Sequence, residues 1–517
     1  MITRAVLVGL LVLLAGCETP PERVERALEI ELPSDWSGST GGTEQLAGHW
    51  WAQLDDGVLG GLVQQALLAN PDLTRAASRV AEARALAVVV GADLLPRLEA
   101  GLAAARTKTN FVGLPVGGDG LPTSRFSSYE LSLGASWELD LWGRLADREE
   151  AALARADAAY VDLQGVRLSL AGAVLRAGLR LLEAQAQRDL AERSAESWRE
   201  NDALVQRRYR QGLVPALAAR QVGTSLAGAL ARVAERRRNE QDASIALSVL
   251  LGAPPELRLD AGQAFPALRE ELPAGLPVTL LARRPDLVAA ERRLMAAELD
   301  GEAARKDFYP RLVLTGAVGT SSDQLSDLLD GDFGVWSIAG NLLQPIFEGG
   351  RLRAGVELAD ARAAAALADF ASTLLTALGE VQSALLAEEL LAEVEAALAQ
   401  ASEHATVARQ LAADRYRSGL TDLLTLLDVQ RLAQLAESEL IAVQRQRLDN
   451  RVALHLALGG GFDADSDLLL GREQWAAALR AQEEDVEGAR SATDASALDA
   501  SPSDVPSPDD PAPGESP

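Results

Sequence analysis

The 517-residue sequence predicts a mainly α-helical chain that also contributes strands to a membrane β-barrel and is duplicated internally. Three observations predict this fold. Apolar residues make up 48% of the chain but aromatic residues only 4%, some segments alternate with a period of two, and several motifs occur twice. A composition dominated by alanine and leucine favours long helices over an aromatic-rich globular core.

Several motifs recur at nearly constant spacing in the two halves of the chain. Asn70–Leu73 is matched by Arg284–Leu287 at an offset of 214, and Arg208–Leu213 is matched by Arg415–Leu420 at an offset of 207. The first copy therefore carries seven extra residues between these motifs, and we assign them to a hairpin loop, where insertions are tolerated. The order of the matches indicates two copies of one supersecondary unit.

The only cysteine, Cys17, ends a predicted secretory signal. Arg4 supplies a positive n-region, and Ala5–Leu13 forms an apolar h-region that is too short to remain as a membrane span. Leu14–Cys17 then resembles a bacterial lipobox, in which the cysteine is acylated and becomes the mature N-terminus. The alternative is an ordinary signal peptide with a coincidental cysteine. Glu18 follows, whereas the usual inner-membrane retention signal is aspartate, so the pattern favours the outer membrane.

The repeat and the composition together predict the domain boundaries. A proline-rich bridge separates the two copies, and an acidic, proline- and serine-rich end lacks apolar residues to bury. The predicted segments are 1–16 (lipoprotein signal peptide), 17–55 (lipidated N-terminus and linker), 56–252 (first repeat), 253–277 (linker), 278–460 (second repeat) and 461–517 (C-terminal segment with a disordered acidic tail).

The clearest strand pattern spans 129–141, where apolar and polar or small residues alternate with a period of two. Its predicted hairpin partner is Leu98–Thr109, with a glycine- and proline-rich loop at 113–122. The second copy repeats this plan more weakly, with strands predicted at Arg311–Thr320 and Phe333–Ile346. Each chain is thus expected to supply four strands.

A long helix follows each predicted hairpin. From Arg144 to Gln211 apolar residues step by threes and fours without a proline, which predicts a helix of about 100 Å at about 1.5 Å per residue. Gly212 and Gly419 stand where the chain must reverse, because glycine can adopt the left-handed conformation that ends a helix. Returning helices are predicted to reach Gly252 and Gly459.

These elements together predict an oligomeric conduit. Beyond the signal no run of 18 apolar residues lacks a charge, so a helical membrane span is not expected. Four strands cannot close a barrel, and an open sheet edge cannot face lipid. Three chains would pool twelve strands, an even number within the known range of membrane barrels. The long helices would continue this polar-lined barrel as a tube in the periplasm.

Leu139–Leu145 and Pro345–Leu352 closely resemble the strand-to-helix junctions of TolC-type outer membrane efflux proteins, and the two Arg-Tyr-x-x-Gly-Leu motifs resemble their periplasmic helical tips. The lipobox is similar to that of the lipoprotein branch serving RND-type pumps. The resemblance implies a homotrimer with a twelve-stranded barrel in outer-membrane lipid and an α-helical periplasmic barrel. It also implies two partners, a periplasmic adaptor (membrane fusion) protein and an inner-membrane RND-type transporter.

The same resemblance implies candidate sites near the helical tips. An acidic ring closes the periplasmic end in this family; Asp428 matches one ring position and Asp422 lies near another, whereas Thr425 departs from the pattern. Asp422 has an alternative interpretation, since a carboxylate in the first turn of a helix favours the macrodipole. The tip residues resemble adaptor contacts, although a purely structural turn explains the glycines equally well; these residues are Gly212, Leu213, Gly419 and Leu420.

Other classes of function find less support. A net charge of −26 argues against nucleic-acid binding, which needs a basic surface. The three histidines His49, His404 and His455 are isolated, so we expect no metal site, cofactor or active site. Two alternatives stay open: an exit duct of a type I protein secretion system, whose members more often lack a lipobox, and, more distantly, a lipid-anchored coiled-coil scaffold.

Overall fold

The chain is described by a computed structural model and forms two compact units, Met1–Asp463 and Ala464–Pro517. All helices and strands named below belong to the first unit. Cys17, the loop 113–122 and most of the predicted linker and tail lie outside the described residues. The described residues are 51, 57–111, 123–255, 264–268, 283–462, 464, 467–468, 472–473 and 477.

Both repeats contain a helix, an antiparallel strand pair and a long helical hairpin, in that order. The first copy comprises α1 (Gly57–Ala69), α2 (Pro71–Gly91), β1 (Arg97–Asn110), β2 (Thr123–Leu139), α3 (Arg144–Arg210) and α4 (Ala216–Leu250). The second copy comprises α5 (Pro285–Lys306), β3 (Arg311–Ser322), β4 (Gly334–Leu343), α6 (Arg351–Arg417) and α7 (Leu423–Ala457). Helices α3 and α6 have 67 residues each and α4 and α7 have 35 each, so the two helical hairpins have equal lengths.

The first helix of the repeated unit starts in the same way in both copies. Helices α2 and α5 each begin at a proline, which lacks the N–H that a first helical turn leaves unsatisfied. The buried Asn70 side chain accepts from Asp72 N at 2.8 Å and donates to Leu250 O at 2.8 Å. Arg284, the equivalent of Asn70, donates to Ala457 O at 3.0 Å. Leu250 and Ala457 are themselves equivalent. In each repeat, therefore, a different side chain hydrogen-bonds the start of the first helix (α2 or α5) to the end of the last helix (α4 or α7).

The four strands form one antiparallel sheet in the order β1-β2-β3-β4. Arg97 is opposite Ser136 at the start of β1, Leu139 is opposite Leu312 between the two repeats, and Arg311 is opposite Leu343. Strands β1 and β4 are the edges of this sheet, and each has a neighbour on one side only within the described chain. The sheet is therefore open, as the count of four strands requires.

The register separates the sheet into one apolar and one more polar face. Tyr129, Leu131, Leu133, Trp137 and Leu139 share one face of β2, and their partners on β1 and β3 include further leucines and valine. Between residues 128 and 138 the opposite face of β2 carries glutamates, serines and glycine. An apolar outer and a polar inner face are the pattern of a transmembrane barrel, so we assign the apolar face to lipid.

Some element boundaries differ from those predicted. Strand β2 covers Thr123–Leu139 rather than 129–141, because it pairs with β1 along its whole length and because Asp140 turns towards α3. Strand β4 ends at Leu343 rather than Ile346, since the Gln344 side chain bonds to Phe308 O and Pro345 has no N–H to donate. The domain boundaries stay a prediction.

Helix α6 contains an 18-residue stretch with a mean hydropathy of 1.3, of which 17% is buried within the chain. By length and composition it could cross a membrane. The sequence criterion missed this stretch because it tolerated no charge. The whole of helix α6, with 67 residues, is about 100 Å long, more than three times the thickness of a bilayer core of about 30 Å. The length therefore favours a helix that projects from the membrane.

Helix α6 also presents an unpaired apolar stripe. Leu386, Leu390 and Val394 follow one another at intervals of four residues and are 53%, 51% and 46% exposed. Residues four apart share one face of a helix, so these side chains form a continuous surface. An exposed stripe of this kind is typical of a helix that packs against another chain, as expected for a helical tube built from several chains.

Candidate functional site

The junction between the sheet and α3 is fixed by Asp140. Its carboxylate accepts hydrogen bonds from the backbone N of Arg144 at 2.8 Å and of Ala146 at 2.9 Å, and so caps the helix. Gly143 has φ of 73°, a left-handed conformation that glycine adopts without strain. The strand therefore passes into the helix through a tight turn that the Asp140 carboxylate stabilises.

Arg144 connects this junction to the second repeat. Its side chain is 5% exposed and lies 2.6 Å from Glu138 at the end of β2 and 3.6 Å from Asp307 just after α5. Arg148 also pairs with Asp307, at 3.0 Å. Because a partly buried network of charges is costly to break, these contacts hold the two repeats in one orientation at the foot of the sheet.

Each helical tip is a six-residue turn closed by glycine. Gly212 and Gly419 both have φ of 75°. Leu213 N donates to Arg208 O at 2.9 Å and Leu420 N donates to Arg415 O at 2.8 Å, the pattern of the Schellman motif. This geometry supports the interpretation of Gly212 and Gly419 as residues that end a helix in a structural turn. Leu213 and Leu420 are 68% and 69% exposed at the ends of the hairpins.

Arg208 joins the two tips of one chain. It donates to Tyr416 O at 3.2 Å and Arg417 O at 2.9 Å, and its guanidinium lies 4.8 Å from the centroid of the Tyr416 ring. A cation at the C-terminal end of α6 is stabilised by the helix dipole and by the ring. The motif spacing located this residue at the tip, but only the fold shows that it reaches the other repeat.

Asp422 is the N-cap of α7. One carboxylate oxygen accepts from Thr425 N at 2.9 Å and the other from Thr425 Oγ1 at 3.1 Å, and these bonds hold the pKa of Asp422 below its usual range. The residue is exposed in the single chain. The helix-terminus interpretation of Asp422 thus has direct geometric support, and a place in a ring of several chains stays a prediction.

Asp428 lies on the surface of the same helix, with a neighbouring cation. Its carboxylate accepts from Arg431 at 2.8 Å, and the two side chains are 59% and 70% exposed. In the first repeat the equivalent positions are Gln221 and Thr224. The acid–base pair therefore occurs once per chain. Sequence reasoning singled out Asp428 but not Arg431, although a spacing of three residues on a helix could have indicated the pair.

A buried charged cluster, which the sequence did not indicate, connects α6 with α7. Glu388 is 4% exposed and accepts from Arg451 at 2.8 Å and from Arg447 at 3.1 Å. Burial raises the pKa of Glu388, but Arg451, Asn450 and Arg447 together outweigh this effect, so the pKa lies below its usual range. His455 lies one turn beyond Arg451, and burial together with this arginine lowers its pKa to about 4.

The open four-stranded sheet and the long helices that continue it define a class of protein: a duct assembled from several chains, with a membrane sheet that leads into periplasmic helices. The outer membrane efflux protein family matches residues 62–253 and 276–460, one segment for each repeat. The chain belongs to this family.

Three known proteins illustrate the relationship. A pyoverdine export outer membrane protein of Pseudomonas putida is 33% identical over 88% of this chain and 96% of its own length. A toluene efflux pump outer membrane protein of the same species is 30% identical, over 90% and 98%. The structure of the outer-membrane channel OprN superposes with a TM-score of 0.78 at 31% identity, over 86% and 99%.

The predicted fold and location are confirmed by this membership. The chain is the protomer of a trimeric channel whose twelve strands close a barrel in the outer membrane and whose helices extend into the periplasm. It serves efflux as a passive duct and is not an enzyme. Among the described residues no group of three or more acidic, histidine or cysteine side chains could hold a metal ion.

The buried histidine predicts a pH effect. Its pKa of about 4 lies below the ordinary 6.5, so on acidification the unfolded chain binds a proton that the folded chain resists. The free energy of unfolding should therefore fall by up to about 3 kcal/mol per chain as the pH is lowered from about 6.5 to about 4. His455→Gln should remove that part of the loss, measured by thermal unfolding across this pH range. Exposed His404→Gln is the control, and equal pH profiles for wild type and His455→Gln would contradict the prediction.

Proposed function

We propose that the chain is the lipid-anchored exit duct of a tripartite efflux pump. Small molecules are delivered by an inner-membrane RND-type transporter and pass through a periplasmic adaptor into the duct. The observation that carries this proposal is the passage of each strand pair into a helix of about 100 Å, through a carboxylate-capped junction in the first repeat. A tube of this length receives its cargo at the far end, so a partner must meet the tips.

Small molecules are favoured over unfolded polypeptides as the cargo. The two relatives described above are named for pyoverdine and toluene, and the match covers nearly their whole length. The alternative, an exit duct of a type I protein secretion system, receives no comparable support. A coiled-coil scaffold would have no use for a four-stranded sheet with one polar face. The identity of the cargo is set by the pump that delivers it.

The helical tips are the proposed contact with the adaptor. Leu213 and Leu420 are exposed leucines held by rigid turns at the ends of two hairpins of equal length. Apolar side chains on a preorganised turn bind a partner at low conformational cost. The glycines Gly212 and Gly419 fix the turns, and the leucines provide the surface.

The double substitution Leu213→Asp and Leu420→Asp tests this function. It should weaken adaptor binding by about tenfold or more, because both apolar contacts are replaced by charge. Channel conductance and trimer mass should stay unchanged, since both side chains lie outside the described core. Adaptor co-purification and drug efflux in cells measure the effect. Leu68→Asp, at a leucine that is 90% exposed on α1, is the control; wild-type adaptor binding by the double variant would refute the proposed contact.

The acidic side chains near the tips are proposed as a gate in the trimer. Three copies of Asp428, with or without Asp422, would face one another across a narrow bore, which disfavours ionisation unless a counter-charge is close. Arg431 at 2.8 Å from Asp428 is such a counter-charge. A constriction lined by these pairs would therefore contain both carboxylate and guanidinium groups.

Paired substitutions should separate the two charges of the gate. Replacing Asp422 and Asp428 by alanine should raise single-channel conductance and weaken cation selectivity, because an acidic constriction favours cations. Arg431→Ala should change selectivity in the opposite direction, since it leaves the carboxylates uncompensated. Bilayer conductance in salt gradients measures both. If neither variant alters conductance or selectivity while the aspartate variant loses thermal stability, Asp422 acts only as a helix cap and Asp428 only as a surface residue.

Lipidation of Cys17 is the proposed anchor, supported by the signal pattern around it. Labelling cells with a fatty-acid analogue should mark the wild type and not Cys17→Ser, because the thiol is the acylated atom. Membrane fractionation of the same cells is the weaker measurement, since barrel insertion retains part of the variant. An unlabelled mature wild type would exclude the lipid anchor.

A further inference from the structure

Three basic side chains lie together on the lipid-facing side of the β1–β2 hairpin. Lys108 is directly opposite Arg125 in the register, and Arg106, opposite Ser127, is two residues from Lys108 along β1. Residues two apart on a strand share a face. Arg125 has the same parity as Tyr129 on β2, so the three cations are on the apolar face. All three are exposed.

Their height places them just outside the hydrocarbon layer. The apolar face of β2 from Leu139 to Tyr129 spans ten residue steps, or roughly 25 Å along the membrane normal for a strand tilted by about 40°, which is the height of a barrel's apolar band. The junction with α3 is at Leu139, so Tyr129 marks the outer side. Arg125 lies four residues beyond Tyr129, roughly 10 Å further out. Strand β3 ends opposite Tyr129, so this part of the hairpin extends past the four-stranded region.

The charges of this cluster are not neutralised within the described part of the chain. None of the ion pairs between described residues includes Arg106, Lys108 or Arg125. Like charges placed directly opposite on adjacent strands are destabilising. The acidic side chains between β3 and β4 hydrogen-bond to their own segment and not to this cluster. Asp327 accepts from Ser326 Oγ at 2.8 Å, and Asp330 accepts from the N of Asp332 at 3.1 Å. An external anion would therefore stabilise the hairpin.

We propose that Arg106, Lys108 and Arg125 bind the phosphate groups of the phosphorylated glycolipid, lipopolysaccharide, in the outer leaflet around the channel. The proposal rests on the outer-membrane location established above. Guanidinium groups bind phosphate through two parallel hydrogen bonds and lysine as a point charge. Lipid phosphates lie just beyond the hydrocarbon layer, within reach of the long side chains of this cluster. A free phosphate ion would satisfy the same charges, but nothing would hold it at that height.

The test compares the purified trimer with a variant in which Arg106, Lys108 and Arg125 are replaced by glutamine. Binding of bisphosphorylated lipid A in detergent, measured by native mass spectrometry, should weaken by about a hundredfold, because each basic side chain near an anionic lipid surface contributes about a fivefold factor. Enzymatically dephosphorylated lipid A should bind both proteins equally weakly. Inorganic phosphate at the same concentration should not compete.

A second measurement keeps the outcome independent of folding. In zwitterionic detergent without lipid A the variant should unfold at an equal or higher temperature than wild type, because the repulsion between Lys108 and Arg125 is removed. Added lipid A should raise the unfolding temperature of the wild type only.

The control replaces Arg79, Arg220 and Arg232, three exposed arginines of the periplasmic helices, by glutamine. Wild-type lipid A binding by the hairpin variant, or equal binding of dephosphorylated lipid, would overturn the proposal. Conductance of the variant should be unchanged, which separates this proposal from the duct function.

Discussion

Hydrogen bonding at the free edges of strands β1 and β4 is the constraint on which the rest of the structure depends. Each unpaired backbone N–H or C=O group in hydrocarbon costs several kcal/mol, and a single chain leaves a whole strand edge unsatisfied on each side. Only pairing between chains removes this cost. Because every strand pair leads directly into a long helix, closure of the sheet also gathers the helices into a ring, and the exposed stripe of α6 is then covered.

Much of this architecture could be predicted because it is encoded by local patterns. The alternation around Trp137 predicts a strand with two unlike faces, and the proline-free run from Arg144 predicts a single helix that ends within one residue of the predicted position. Gly212 and Gly419 could be placed at turns because the left-handed conformation is cheap for glycine alone. In each case the decisive information lies within a few residues of the element.

The charged contacts could not be predicted in the same way. Arg144 meets Asp307, and Glu388 meets Arg451, across separations of 163 and 63 residues. In the sequence alone these side chains look like the solvated residues of a long helix, and only the packing of the helices shows them to be buried or partly buried. The upper end of β2 was also missed, because residues 123–128 lack the apolar alternation that marks the part of the strand facing hydrocarbon.

The equal lengths of the two helical hairpins have a consequence for stoichiometry. In a trimer the tips at Gly212 and Gly419 create six nearly equivalent ends, so the shape of the periplasmic mouth approaches sixfold symmetry. The Asp428–Arg431 pair has no equivalent in the first repeat, so this ion pair repeats only three times in the trimer. A partner that recognises the backbone turns can occupy six places, whereas one that recognises the Asp428–Arg431 pair can occupy three. One mouth can thus accept partners of two different symmetries.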